Sequence, residues 1–177
     1  MAEDFNMDKF LAETDKKAMK YKKLIKSNEF DSIPDGDLYY AVIDLLCDKN
    51  SAEMQLLPLT CQYVNAVNTV TNMAYSEDFE TVYTEYNQLT NLAADGLFEI
   101  GEPELGEVIK QSNVIYENSK DIISKHNQEI ISWGELLDME LWEKAHEKFY
   151  NVYDNGKKLL KSIENYIRKN SKDFYAL

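Results

Sequence analysis

Residues 58–76 read PLTCQYVNAVNTVTNMAYS, and within them Leu59, Tyr63, Ala66, Val67, Val70 and Ala74 recur at three- and four-residue steps. That spacing lines one face of a helix with apolar groups. Pro58, whose fixed φ suits a first turn, opens the segment, which is expected to be a central core helix. The same reading extends outward in both directions. Upstream, Phe10, Leu11, Tyr21, Leu24 and Ile25 indicate one or two N-terminal helices. The run Asp31-Ser32-Ile33-Pro34 offers an N-cap and a first-turn proline to the next helix, which carries Leu38, Tyr39, Val42, Leu45 and Leu46. Downstream, Phe79, Val82, Tyr83 and Tyr86 mark a shorter helix. Leu89, Leu92, Ala93, Leu97 and Ile100 mark another, which Gly101 would end as a C-cap. Pro103 restarts the chain ahead of Leu105, Val108, Ile109, Ser112, Ile115 and Tyr116. Leu141, Ala145, Phe149, Val152 and Tyr153 precede a turn at Asp154-Asn155-Gly156, and Leu160, Ile163, Tyr166 and Ile167 form the last stripe.

Six glycines and three prolines in 177 residues are few, and no run alternates apolar and polar residues between turn dipeptides. The expected fold is all-α: a single globular domain of about seven to nine packed helices. Residues 1–30 are its basic N-terminal helical segment and residues 31–177 its main body. At 44% hydrophobic and 12% aromatic residues the chain can bury a real core. Neither an internal repeat nor a glycine-, serine- or proline-rich linker divides it. The opening MAEDFNMDKF is charged where a secretory signal needs an apolar stretch, and no window approaches the roughly 18 apolar residues of a membrane span. A cytoplasmic protein without membrane partners is expected. Cys47 and Cys61 lie in apolar helical patterns outside any CxxC or Cys/His cluster, so both are expected as buried free thiols.

Charge is distributed unevenly. Between Lys49 and Lys110 there is no lysine or arginine, and this 60-residue window holds ten acids, for a net charge of −10 out of the whole-chain −13. They are Glu53 and then Glu77, Asp78, Glu80, Glu85, Asp95, Glu99, Glu102, Glu104 and Glu107. Acids interleaved with lysines make an ordinary solvated surface, whereas unpaired carboxylates on neighbouring helices create a field of one sign that draws in cationic partners. If the apolar stripes face inward, the nine acids from Glu77 to Glu107 must point outward, because an ionised carboxylate without a partner is too costly to bury. DNA carries one phosphate charge per roughly 1.7 Å of its axis, and its binding proteins answer with lysine and arginine. Fixed carboxylates can occupy the same basic surface, while a net −13 excludes direct nucleic-acid binding. A charge placed only for solubility is the plainer account. Lys16, Lys17, Lys20, Lys22, Lys23 and Lys26 form the opposite pole, read as a solvated helix face pairing loosely with Glu13 and Asp15, or as a surface for an acidic partner or a second copy.

Catalytic signatures are missing. The chain has no GxSxG, GxxxxGK[ST], GxGxxG or HExxH. Glu143 and His146 make one Glu-x-x-His step, but a di-iron bundle needs two, and Ile123 stands three residues before His126. His146 is read as a helix-surface residue, and no metal, cofactor or catalytic residue is expected. Asp35 with Asp37, or Glu102 with Glu104, would work as acid and base only in a cleft that raises one pKa. Trp133, Trp142 and the twelve tyrosines fall mostly at core spacing. One arginine, Arg168, argues against phosphate chemistry.

Three stretches resemble an all-helical bacterial domain family of largely unknown function that includes a dimeric DNA-mimic protein. The first is DLYYAVIDLL, residues 37–46, with the helix bearing Tyr63 to Val70. The second is EDFETVY followed by LAADGLFEIGEPELGEVI, residues 92–109. The third is ELLDMELWEKAHEKFY with IENYIRKNSKDF, which resembles the family's closing Tyr-Ile-Arg-x-Asn-x-x-x-Phe pattern at Tyr166, Ile167, Arg168, Asn170 and Phe174. Where the family often shows an Asn-Gly-Gly-Phe turn, this chain has TNMAYSEDF, with Asn72 and Phe79 but no glycine pair. The resemblance implies a homodimer and an acidic surface that occupies the DNA-binding face of a transcription regulator.

The leading expectation is a non-enzymatic acidic interaction module that binds a basic protein, such as a DNA-binding regulator, through the Glu77 to Glu107 acids. The alternatives are a small α-helical enzyme or metal protein whose site assembles from dispersed residues, and an immunity-type protein that binds through apolar surface. Exposed tyrosines gathered in a patch would favour the last.

Overall fold

The structure is a computed structural model describing residues 7–77, 79–127, 139–175 and 177. Trp133 lies outside the described residues, as do the side chains of Phe10, Leu11, Ile123 and His126. Among the described residues every regular element is helical. In chain order these are α1 (Met7–Lys26), α2 (Asp37–Cys47), α3 (Ser51–Leu56), α4 (Leu59–Ser76), α5 (Phe79–Glu85), α6 (Asn87–Ile100), α7 (Pro103–Asn127), α8 (Met139–Tyr153), α9 (Lys157–Lys169) and the single turn α10 (Ser171–Phe174). Two 3-10 turns, Phe30–Ser32 and Asp154–Gly156, bridge α1 to α2 and α8 to α9.

α4 packs on α6, α6 on α7 and α7 on α8, which makes α4 and α6 the centre of one core. The buried face of α4 is Cys61, Val64, Ala66, Val67, Val70, Thr71 and Ala74; Leu59 at its start is exposed. Gly96 on α6 lets the two helices approach, because a Cβ there would stand 3.0 Å from both Tyr63 Cβ and Val67 Cγ2. Inside, Tyr83 of α5 donates to Asn113 Oδ1 of α7 at 2.6 Å, and Asn113 Nδ2 donates to Asn91 Oδ1 of α6 at 2.8 Å. A polar chain running from the buried Tyr83 and Asn113 out to the exposed Asn91 thereby ties three helices without leaving the buried groups unpaired. Gly101, with φ 95°, ends α6, and Pro103 opens α7, as their residue types require.

Two helix ends are finished by side chains from far along the chain. α2 begins after Gly36, which has no side chain to cap it, so Asp31-Ser32-Ile33-Pro34 does not serve as the cap expected. Glu164 of α9 fills the role: its Oε1 accepts from Gly36 N at 2.7 Å and Tyr39 N at 3.2 Å. One carboxylate thus satisfies two of the donors a helix start leaves open, at the end where the helix dipole favours negative charge. One turn later, Arg168 donates to Phe30 O at 2.6 Å, Ile33 O at 2.8 Å and Asp35 Oδ1 at 3.1 Å. The single arginine is a clamp on the α1–α2 connection. At the end of α4, His146 Nε2 lies 2.9 Å from Ala74 O and Tyr150 donates to Tyr75 O at 2.7 Å, so α8 supplies partners to that helix's last carbonyls.

α1 is held by Asp37, which accepts from Lys17 at 2.8 Å and from Tyr21 at 2.8 Å. Lys22 bridges Asp44 of α2 and Asp48 just past its end at 2.8 and 3.2 Å, and among the described residues no ion pair joins the lysines of α1 to Glu13 or Asp15. Cys61 is a buried free thiol, pushed up to about 12 chiefly by burial, whereas Cys47 is free but exposed, because it follows the α2 stripe by one residue. Leu141 is also exposed, and Trp142 takes the buried position beside it.

Two outcomes follow from these contacts. Glu164→Ala leaves two amide donors of α2 without their acceptor and should lower stability by ~1–3 kcal/mol, with Glu164→Gln losing less, as read from urea unfolding. The Lys17 bond holds the Asp37 carboxyl below its usual range, and the Tyr21 hydroxyl adds to this. A depressed folded pKa stabilises above the unfolded value of about 3.9 and is lost as pH falls through the folded one. Asp37→Asn should therefore cost stability at pH 7, with the difference from the parent shrinking in unfolding curves as pH falls below about 3.9.

Candidate functional site

Six of the acids singled out by sequence are exposed: Glu77, Glu85, Asp95, Glu99, Glu104 and Glu107. Among the described residues no ion pair engages any of them. Asp78 and the side chain of Glu80 lie outside the described residues. Asp95 and Glu99 stand one turn apart on α6, near Tyr63 of α4. Burial first, then these two carboxylates, raise the Tyr63 hydroxyl. Glu99 also faces Tyr166, which burial and this charge push up to about 12. Glu104 and Glu107 stand on the first turns of α7, where Glu107 accepts from Gln111 at 2.9 Å and Gln111 in turn accepts from Lys148 of α8 at 2.8 Å.

Glu102 departs from the expected outward array. It is 5% exposed and accepts from Lys158 Nζ at 2.7 Å and Ser162 Oγ at 2.6 Å, both on α9. Only Gly101 and Glu102 separate α6 from α7, and the bond from Glu102 N to Leu97 O fixes the backbone of this turn. α9 then supplies the cation and the hydroxyl that make burial of the carboxylate affordable. The Glu102 bond raises the Lys158 pKa, with Glu104 contributing from farther off. A window without bases therefore receives one from a helix 56 residues on. Glu53 is likewise used internally, as half of the Asn50 capping box that starts α3.

A second feature was not visible in the stripes. A cavity of about 370 Å³ opens between α2, the last turns of α4 and the α8–α9 junction. Tyr39, Tyr40, Tyr75 and Tyr153 line it, as do the polar residues Asn72 and Lys157. The Tyr39 hydroxyl bonds Asn68 Oδ1, which also accepts from Asn72 Nδ2 at 2.9 Å. The Tyr75 ring packs on Tyr153 and Tyr150 with centroids 5.1 and 5.6 Å away, and Tyr40 meets Tyr39 edge-on at 5.0 Å. Tyr40, Tyr75 and Tyr150 are exposed by 62%, 45% and 41%, so the tyrosines do gather in a surface patch. Tyr40 follows the stripe residue Tyr39, and Tyr75 follows Ala74; this one-residue offset is the signal that could have found them.

His146 is half-buried against Phe79 and Tyr150, held by α4, rather than free on a helix surface; Glu143 is exposed. Among the described residues no group of three His, Cys, Asp or Glu side chains could hold a metal. Asp37 is engaged by α1 and Asp35 by Arg168. Among the described residues no helix is long and apolar enough to cross a membrane. Comparison with protein-family models, with curated proteins and with solved structures returns no match.

The two kinds of acid should separate experimentally. Glu102→Ala should cost ~1–3 kcal/mol in urea unfolding by removing the acceptor of two hydrogen bonds. Glu99→Ala, exposed and without an ion pair among the described residues, should stay within about 0.5 kcal/mol of the parent.

Proposed function

We propose that this chain is a non-enzymatic interaction module whose exposed carboxylates on α6 and α7 engage the basic surface of another protein. The partner class that fits is a DNA-binding protein or transcription regulator, on which the acids take the place of phosphates. The observation carrying this reading is that Asp95, Glu99, Glu104 and Glu107 stay exposed without ion pairs among the described residues, in a region that has no lysine or arginine of its own. The resemblance of residues 37–46, 92–109 and 166–174 to a family that includes a DNA mimic points the same way. Binding of this kind rests on long-range attraction, which speeds encounter and weakens as salt screens it.

A second reading, association through an aromatic face, is favoured by the exposure of Tyr40, Tyr75 and Tyr150. Capture of a basic partner from a bacterial lysate at low and high salt separates the two. The acidic reading expects capture that falls steeply between 50 and 500 mM salt and is abolished by Glu99→Lys with Glu107→Lys. Salt-insensitive capture that survives both substitutions but is lost in Tyr40→Ser with Tyr75→Ser would replace it with the aromatic one.

A further inference from the structure

We infer that the tyrosine-walled cavity is a binding site for a small planar ring bearing an anionic group, a phosphate or a carboxylate. The volume of about 370 Å³ lies at the lower end of the range for small-molecule sites, and the lining combines ring faces with a few polar groups, as such sites do. Tyr40 and Tyr75 offer exposed ring surface on which a planar group stacks, and the buried Tyr153, itself stacked on Phe149, completes the wall. Two of these rings keep substantial exposure, a cost in uncovered apolar surface that a stacked ligand would remove.

The sign of the ligand's charge follows from the lining. Among the described residues Lys157 is its one charged side chain, and no acid contributes to it. Lys157 opens α9, whose first turn carries Lys158 as well and no acid, so two cations stand at the end of the helix that already bears positive partial charge. Lys158 is drawn off to Glu102, whereas no ion pair engages Lys157 among the described residues. Asp154 is exposed nearby but does not line the cavity. In a protein of net charge −13, a cavity to which the described residues bring one charge, a positive one, is a local exception suited to an anion. Asn72 and Asn155, also in the lining, supply amide groups for the ligand's remaining polar atoms.

The backbone is shaped to this wall. Asp154, Asn155 and Gly156 have φ of 38°, 56° and 74°, three successive residues in the left-handed region. Gly156 is also where a Cβ would come within 2.6 Å of the Tyr153 hydroxyl, so glycine is what allows that ring to line the cavity. Strain of this kind persists where surrounding contacts over-determine it, commonly at ligand sites.

Saturation-transfer NMR and calorimetry with adenosine 5′-monophosphate, uridine 5′-monophosphate and 4-hydroxyphenylacetate test the site, alongside the uncharged adenosine, uridine and 4-methylphenol. At least one anionic probe should bind with a Kd below about 1 mM and about tenfold more tightly than its uncharged counterpart. Lys157→Gln and Tyr40→Ala, both at exposed positions, should each weaken it by about tenfold. Absence of binding by all three anions, equal binding of the uncharged set, or binding unmoved by both substitutions would overturn the assignment. None of these substitutions touches the carboxylates of α6 and α7, so the outcome is independent of the acidic reading, and Lys157→Gln also leaves the aromatic face of Tyr40 and Tyr75 intact.

Discussion

The contact on which the rest depends is the pair Glu164 and Arg168, one turn apart on α9, closing on the segment between α1 and α2. A helix that starts on glycine has no cap of its own, and the preceding loop offers as acceptors the carbonyls of Phe30, which also accepts from Ile33 N at 3.1 Å, and of Ile33. α9 resolves both with one carboxylate and one guanidinium, each held at two or more hydrogen bonds. Because the partners are separated by more than 120 residues, this is closure of the fold rather than local stabilisation. The same helix buries Leu159, Ile163, Tyr166 and Ile167 and takes up Glu102 through Lys158 and Ser162.

That arrangement gives the closing Tyr-Ile-Arg-x-Asn-x-x-x-Phe pattern a physical meaning. Tyr166 and Ile167 are core, Arg168 clamps the α1–α2 loop, and Asn170 Nδ2 returns to Tyr166 O at 2.9 Å to finish α9. Phe174 is buried, while Asp173 beside it accepts from Thr60 at 2.8 Å and so fastens α10 to the start of α4. Every position of the pattern has a structural task. Those tasks are internal to the fold, whereas the exposed acids of α6 and α7 and the exposed tyrosines of the cavity face outward.

How much of this was legible depended on whether the signal was local. The stripes of α2, α4, α6, α7 and α9 follow from residues three and four apart, and Gly101 and Pro103 mark their boundary by backbone chemistry alone. α3 escaped, because none of its residues is buried and only the Asn50–Glu53 capping box starts it. The caps on α2 and α4 escaped for a different reason: their donors and acceptors sit 72 to 128 residues away, beyond any window. The charge count located the acids but could not tell Glu102 from Glu99, since the difference is made by Lys158 on another helix. The tyrosine wall was hidden by the assumption that aromatic residues near a stripe belong to it.

The core claim is that α2 begins where it does because Glu164 holds it there. Native-state amide hydrogen exchange at Gly36 and Tyr39 measures this directly, residue by residue. The account predicts that both amides are protected to the level of the α9 core, and that Glu164→Ala releases these two while α4 and α6 remain protected. Rapid exchange at Gly36 and Tyr39 in the unaltered protein would contradict it.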